Sequence, residues 1–150
     1  MSDPFVLADT TDVDITADLP ELEEYAWDFE HDVFIYDANG KHKTVKENEA
    51  LKVWIYKCLK TERFRYMSYL HGEYNNIGLY GVELEQFIGT NANSETNGEK
   101  VVEYIKAGLS VNPYIEKINN IDVESRTGDT LTISVDLSSV YGNLTTEVVI

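Results

Sequence analysis

The stretch "TLTISVDLSSVYGNLTTEVVI", residues Thr130–Ile150, decides the fold class most directly. Its first half alternates polar residues with apolar ones, at Leu131, Ile133, Val135 and Leu137. A period of two places the apolar side chains on one face of a strand, and Tyr141-Gly142-Asn143 supplies turn residues before the next strand. The stretch therefore predicts two antiparallel strands with one buried face.

Two further regions of the sequence are predicted to form strands. "IEKINNIDVES" precedes the turn residues Thr127-Gly128-Asp129 and would add a third strand to a C-terminal meander. Near the other end, "YAWDFEHDVFIYDANGKHKTV" alternates apolar and polar residues around the turn Asp37-Ala38-Asn39-Gly40. We expect short, paired strands there.

Helical spacing dominates the middle of the chain. "KENEALKVWIYKCLKTE" carries one apolar stripe, made of Leu51, Trp54, Ile55, Cys58 and Leu59. "EKVVEYIKAGL" carries another, made of Val101, Val102, Ile105 and Leu109. The second helix should end near Ser110, because the residue before Pro113 is disfavoured in helical geometry. These two patterns predict two amphipathic helices.

A third, shorter helix is indicated after Gly81. In "VELEQFIG" the residues Leu84, Phe87 and Ile88 share a side, and Gly89 is suited to a helix end. The polar run "TNANSETNG" that follows is typical of a loop.

The order strands, helices, strands predicts an α+β fold: a mostly antiparallel sheet with two or three helices packed on one face. Residues 21–150 would form one domain, and residues 1–20 an acidic arm that is either disordered or ordered by a neighbour. The last strand ends at Ile150 and is a candidate sheet edge, whose unpaired backbone groups can accept another strand or remain inert.

Composition excludes several classes of function. The chain of 150 residues has a formal charge of −15, which disfavours contact with a phosphate backbone. Its single cysteine, Cys58, rules out a disulfide framework within the chain. No apolar run reaches the roughly 20 residues of a membrane span, and the N-terminus is acidic where a secretory signal would be basic. We expect a soluble protein that binds no nucleic acid.

Catalytic and metal-binding patterns are missing from the sequence. His31, His42 and His71 lie far apart without ligand spacing, and no nucleophile elbow or phosphate-binding glycine loop is present. We therefore expect no cofactor and no metal. Glu62, Glu73 or Glu83 could supply the two carboxylates of a glycosidase, although a chain with 27 acids offers many such pairs by coincidence.

The most polar region is "LKTERFRYMSYLHGEYNNIGLYGVELEQFIG", residues 59–89. Arg63 and Arg65 follow an apolar helix, where cations meet its exposed carbonyls favourably. Alternatively, one of these arginines pairs with Glu62 and fixes a tyrosine-rich loop that offers contact surface. The residues themselves leave both possibilities open.

This region resembles the T-E-R-x-R-Y-x-x-Y…Y-G-x-E-L-x-x-L-I-G pattern of the sheath-adjacent baseplate wedge proteins of contractile phage tails and phage-tail-like bacteriocins, in their Gram-positive prophage form. The resemblance extends from Leu22 to Ile150. The matching residues are Thr61, Glu62, Arg63, Arg65, Tyr66, Tyr69, Tyr80, Gly81, Glu83, Leu84, Ile88 and Gly89.

The sequence departs from that family's pattern at three places. Met67 stands where the family often has proline, and the segment between Tyr69 and Tyr80 is several residues longer. Asn112, Pro113 and Tyr114 stand where related proteins often carry Glu-Pro-Arg. The charged contact to the wedge core that goes with Glu-Pro-Arg is therefore not carried over to this chain.

The resemblance implies a structural baseplate protein without catalytic activity, similar to a tail-sheath strand-exchange domain. Such a protein joins the wedge core and templates the first ring of sheath subunits by strand addition, at a terminal strand that includes Val148 and Ile150. Its partners would be wedge proteins, the sheath protein, and tail tube or hub proteins, in about six copies per particle. It would reside in a virion or tail-like particle assembled in the bacterial cytoplasm.

Two other functions stay open at this point. One is a lysozyme-like cell-wall glycosidase of the tail, since the family has carried that label by resemblance. The other is an acidic mimic of nucleic acid that binds a basic protein, whose binding would depend strongly on salt.

Overall fold

The computed structural model describes residues 19–62, 81–87, 95–126 and 130–150. The first part contains four short strands, β1 (Glu23–Tyr25), β2 (Trp27–Asp28), β3 (Val33–Phe34) and β4 (Thr44–Lys46), followed by α1 (Glu47–Lys60). A 3-10 helix (Glu85–Phe87) and α2 (Glu95–Leu109) come next, and the chain ends with β5 (Ile115–Arg126), β6 (Thr130–Ser139) and β7 (Gly142–Val149).

The strands of the described residues form three antiparallel sheets. β1 pairs with β4 and β2 pairs with β3, whereas β5, β6 and β7 form a three-stranded meander in that order. Helix α1 contacts β7, α2 contacts β5, and the two helices contact each other. The predicted α+β fold with a mostly antiparallel sheet is confirmed.

The alternation in the C-terminal strands separates two faces of the meander. The odd-numbered residues of β6 from Leu131 to Leu137 are buried, as are Leu144 and Val148 in β7. The opposite face carries polar residues such as Ser134, Asp136 and Glu147. An antiparallel sheet covered on one side only is expected to alternate in this way.

Helix α1 is more deeply buried than its predicted stripe. Four of the five stripe residues are buried and Trp54 is half-buried, but Ala50, Val53 and Tyr56 are buried as well. The additional burial arises because α1 contacts β1 and β4 as well as β7 and α2. A helix that is covered on several sides buries a wider face than one apolar stripe.

The region before α2 differs from the prediction. Residues 95–98, interpreted as part of a loop, belong to α2, which begins at Glu95. Polar residues gave no apolar period there, but the first turn of a helix can be polar when the buried stripe begins later, at Val101. The short helix after Gly81 is a single 3-10 turn, and its predicted end at Ile88 and Gly89 lies outside the described residues.

Among the described helices, none combines the length and apolar character required to cross a bilayer.

Candidate protein-interaction site

Strand β7 forms one edge of the three-stranded sheet. Leu131 and Ile150 exchange both main-chain hydrogen bonds, with N to O distances of 2.8 and 2.9 Å. In an antiparallel ladder such a pair fixes the alternation along both strands. The N–H and C=O groups of Thr145, Glu147 and Val149 therefore point away from β6, toward the open side of the sheet.

One end of this edge is closed within the chain. Asn48 Nδ2 donates to the main-chain oxygen of Asn143 at 3.5 Å, and Asn48 Oδ1 accepts a hydrogen bond from the Ser139 hydroxyl at 2.5 Å. In the part of the chain that the structure describes, the outward main-chain groups of residues 145, 147 and 149 have no hydrogen-bond partner. We call residues Thr145–Val149 the open edge.

The two C-terminal residues singled out from the sequence have different environments. Val148 is 1% exposed, and its side chain belongs to the core. Ile150 is half-buried and lines a cavity of about 230 Å³ together with Leu59, Lys60, Glu62, Leu84 and Glu85. The outward main-chain groups belong to the alternate residues of the strand, Thr145, Glu147 and Val149, which were not predicted from the sequence. Local alternation does not indicate them, because the outward direction depends on how β7 pairs with β6.

Glu62 connects the end of α1 to the segment before α2. Its Oε2 accepts hydrogen bonds from the main-chain N–H groups of Leu84, at 3.1 Å, and Glu85, at 3.2 Å. The main-chain oxygen of Thr61 also accepts a hydrogen bond from Val82 N, at 2.9 Å. The Glu62 carboxylate thus satisfies N–H groups at the start of the 3-10 helix, which is a structural task.

Gly81 and Glu83 flank this connection. Gly81 is buried with a φ of 97°, a backbone conformation that residues with a Cβ rarely adopt. Glu83 is half-buried, and its main-chain oxygen accepts a hydrogen bond from Gln86 Nε2 at 3.2 Å. The other predicted residues of this region, Arg63, Arg65, Tyr66, Tyr69 and Tyr80, lie outside the described residues, as do Glu73 and His71.

The Asn112-Pro113-Tyr114 segment attaches the start of the described chain to the C-terminal sheet. Asn112 is buried, and its Oδ1 accepts a hydrogen bond from Tyr114 N at 2.8 Å. The Tyr114 hydroxyl donates to the Pro20 main-chain oxygen at 2.6 Å, and its ring stacks on Tyr141 at 6.1 Å. The Tyr141 hydroxyl accepts a hydrogen bond from Leu22 N at 2.9 Å. Pro113 is exposed.

Burial affects the chemistry of this attachment. The pKa of the Tyr114 hydroxyl is raised, first by burial and second by the neighbouring Tyr141. Loss of the proton would place a phenolate in a poorly solvated site and would remove the donor to Pro20. Tyr114 therefore acts as a neutral hydrogen-bond donor at neutral pH.

An exposed aromatic surface on the N-terminal strands was not singled out from the sequence. Tyr25, Phe29, Val33, Ile35 and Tyr36 are all large apolar residues with high exposure. The His42 ring lies 4.7 Å from the Tyr25 ring and 4.7 Å from the Tyr36 ring. Such a surface is compatible with protein contact, and aromatic residues are enriched in interfaces.

No group of three or more histidine, cysteine, aspartate or glutamate side chains within the described ranges could hold a metal ion.

A family model described as "contractile injection system sheath initiator" matches residues 23–142. The chain belongs to this family. It is a sheath-associated baseplate protein of a contractile tail, with a structural role in initiating the sheath. Membership of the sheath initiator family implies interaction with sheath and baseplate components.

The matched residues extend from the first residue of β1 to the first residue of β7. No individually curated protein matches this sheath initiator. The resemblance to sheath-adjacent wedge proteins, which was recognised from residues 61–89, is thus confirmed at the level of the family.

Proposed function

We propose that this sheath initiator starts the sheath by accepting a β-strand from a sheath subunit at the open edge of β7. The observation that carries the proposal is the outward direction of the main-chain groups of Thr145, Glu147 and Val149. Each residue offers one donor and one acceptor, which is the basis of recognition by strand addition. The added strand would continue the β5-β6-β7 sheet as a fourth member.

The open edge is more suitable for strand addition than the opposite edge of the sheet. β7 pairs with β6 in unbroken register from Gly142 to Val149, so its outer side is regular. β5 has register irregularities between Ile115 and Lys117 and between Ile118 and Asn120. Such irregularities bend a strand locally and disfavour a long regular pairing.

The rest of the domain would hold the protein in the baseplate. We assign contact with the wedge core to the tyrosine-rich region of residues 59–89, with Tyr66, Tyr69 and Tyr80 as contact residues and Gly81 and Glu83 as its base. Glu62 would pair with Arg63 or Arg65 in addition to its bonds to the 3-10 helix. Asn112, Pro113 and Tyr114 would act internally instead of making the charged contact of Glu-Pro-Arg relatives.

The wider setting follows from the same proposal. Residues 21–150 would form one domain and residues 1–20 an arm, with about six copies around the tail. Tail tube or hub proteins would be further partners, and assembly would take place in the bacterial cytoplasm. The role needs no catalytic group, and Glu62, a candidate carboxylate for a glycosidase, is already used to hold the 3-10 helix.

The test uses one residue of the open edge. Thr145→Pro removes an N–H that points away from β6, so the meander keeps its own hydrogen bonds while the edge loses a donor. The matched control Thr145→Val keeps that N–H and is suited to a strand. Both variants would be expressed with the complete tail cluster, and particles would be examined by pull-down and electron microscopy.

We expect Thr145→Pro to co-purify with baseplate proteins while sheathed tails are lost, and Thr145→Val to give normal sheathed tails. Removal of residues 144–150 also takes Leu144 and Val148 out of the core, so its loss of sheathed tails supports the proposal only while the variant still co-purifies with baseplate proteins. Sheathed tails at normal yield from both the proline variant and the truncation would overturn strand addition at β7.

A further inference from the structure

The outer face of the sheet beside the open edge is acidic. The side chains of Thr145, Glu147 and Val149 are exposed on this face, opposite the helices. Strand register places Asp122, Ser134 and Glu147 in one row across the sheet. One neighbouring row contains Asn120, Asp136 and Thr145. The neighbouring row on the other side contains Glu124, Thr132 and Val149. Acidic side chains therefore occupy three successive rows.

Three of these acids, Asp122, Asp136 and Glu147, take part in none of the ion pairs identified among the described residues. Their hydrogen-bond partners are neutral: Asn120 donates to Asp122 at 2.9 Å, and Thr145 donates to Asp136 at 3.5 Å. Asp136 is the diagonal neighbour of Asp122 on one side and of Glu147 on the other, and like charges at such positions repel one another over about 7–8 Å. A cation placed among them would relieve that repulsion.

A second observation on the same face points to a ligand. Thr132 is 4% exposed, and its Oγ1 has no hydrogen-bond partner among the described residues. It lines a hollow of about 500 Å³ together with Asp122, Val123, Glu124, Ser134 and Glu147. Buried hydroxyl groups normally have partners, so this hollow offers an unused polar atom beside its carboxylates.

The side of β7 that faces the helices is more apolar than the outer face, because the buried residues Leu144 and Val148 lie on it. The wall of the cavity at the end of β7 combines Leu59, Leu84 and Ile150 with Lys60, Glu62 and Glu85, next to the end of α1. A strand that pairs with β7 would direct every second side chain toward this side and the others toward the acidic face. Side chains of the added strand that face the helices would therefore meet this cavity, whereas those that face outward would meet carboxylates.

We propose that the open edge selects a strand in which apolar and basic side chains alternate; this inference rests on the proposed function. The basic side chains would lie on the outer face next to Glu147, with Asp136 two strand spacings away, roughly 10 Å, and Asp122 one spacing further. One apolar side chain would enter the cavity beside Ile150. Opposite charges on paired strands attract over the roughly 8 Å that salt leaves unscreened.

The alternation would also fix the register of the added strand. A shift by one residue exchanges the two faces, which would place basic groups against Leu59, Leu84 and Ile150 in the cavity wall and apolar groups against the carboxylates of the outer face. The same selection disfavours an acidic strand, including the acidic segments of a second copy of this chain, which has a net charge of −15. The acidic face would thereby direct the edge toward a partner other than itself.

The test uses two fluorescein-labelled peptides that alternate valine with lysine or valine with glutamate. We expect the lysine peptide to bind the full chain about tenfold more tightly in low salt, with the difference shrinking as salt rises. Glu147→Lys should reduce this preference at least about threefold. The control Glu103→Lys, which makes the same charge change at an exposed position of α2, should retain it.

Amide hydrogen exchange separates the inference from the proposed function. Protection of the Thr145, Glu147 and Val149 amides by either peptide supports strand addition at the open edge. If both peptides protect these amides and bind with equal affinity, the charge selection is overturned but strand addition at β7 is still supported. Failure of both peptides to protect these amides overturns strand addition at β7 itself, whatever the measured affinities.

Discussion

Glu62 Oε2 lies 3.1 Å from the main-chain nitrogen of Leu84, a residue 22 positions further along the chain. The bond holds the end of α1 against the segment 81–87, together with the Glu85 N–H and the pair between Thr61 and Val82. The carboxylate thereby helps to position Leu84, which is buried in the core. A residue recognised for its part in a family pattern thus has an identifiable structural task.

Glu62→Ala should lower the free energy of unfolding by about 1–2 kcal/mol, because two main-chain donors lose a charged acceptor. Glu62→Gln keeps one carbonyl oxygen as acceptor and should cost less. Urea unfolding followed by circular dichroism measures both, with Glu103→Ala on the exposed face of α2 as the control. Equal stability of Glu62→Ala and wild type would contradict this structural task.

Tyr114→Phe should lower the free energy of unfolding by about 1 kcal/mol, because the hydroxyl that donates to Pro20 is removed while the stacked ring remains. We also expect faster exchange of the Leu22 amide, which donates to the adjacent Tyr141. Tyr104→Phe on α2 is the matched control, since that tyrosine is exposed. A variant as stable as wild type would show that the bond to Pro20 is not needed.

Stability should decrease in alkali through Tyr114. Its folded pKa is raised above the unfolded value of about 10, so the native state holds the proton more tightly. This contribution is fully present below the unfolded pKa and is lost as pH rises through the folded pKa. Urea midpoints measured from pH 8 to 11 should fall less steeply for Tyr114→Phe. If the urea midpoints of variant and wild type fall in parallel with pH, the prediction for Tyr114 is wrong.

Gly108→Ala should destabilise the protein although alanine is favoured over glycine within a helix by about 1 kcal/mol. A Cβ at this position would lie 2.5 Å from Val82 Cγ2 and 3.1 Å from the main-chain oxygen of Gly81. Overpacking of this kind costs about 1–3 kcal/mol. The double variant Gly108→Ala with Val82→Ala should recover part of the loss, and no recovery in thermal unfolding would argue against this contact.

Much of the fold could be predicted from local pattern. The alternation from Leu131 to Leu137 is set by neighbours along the chain, and it correctly identified the buried face of β6. The apolar spacing of α1 correctly identified Leu51, Ile55, Cys58 and Leu59 as buried. The start of α2 at Glu95 was missed because a polar first turn has no apolar period.

Much less of the candidate site could be predicted from local sequence pattern. The partner of Tyr114 is Pro20, which is 94 residues away, and no periodicity in either segment indicates their contact. The exposed aromatic surface around His42 depends on strand pairing, which brings Tyr25 and Tyr36 to either side of one ring. Such contacts depend on how the elements pack and not on their own sequence.

The order of strands and helices, the acidic character and the resemblance to tail baseplate proteins could be predicted from the sequence alone, because each depends on residue types at short spacing. Only the tertiary structure decided which main-chain groups stay unpaired. That choice depends on the exchange of hydrogen bonds between Leu131 and Ile150, which fixes the outward direction of Thr145, Glu147 and Val149. A shift of one residue in that pairing would turn these main-chain groups toward β6 and those of their neighbours outward, because main-chain groups alternate along a strand.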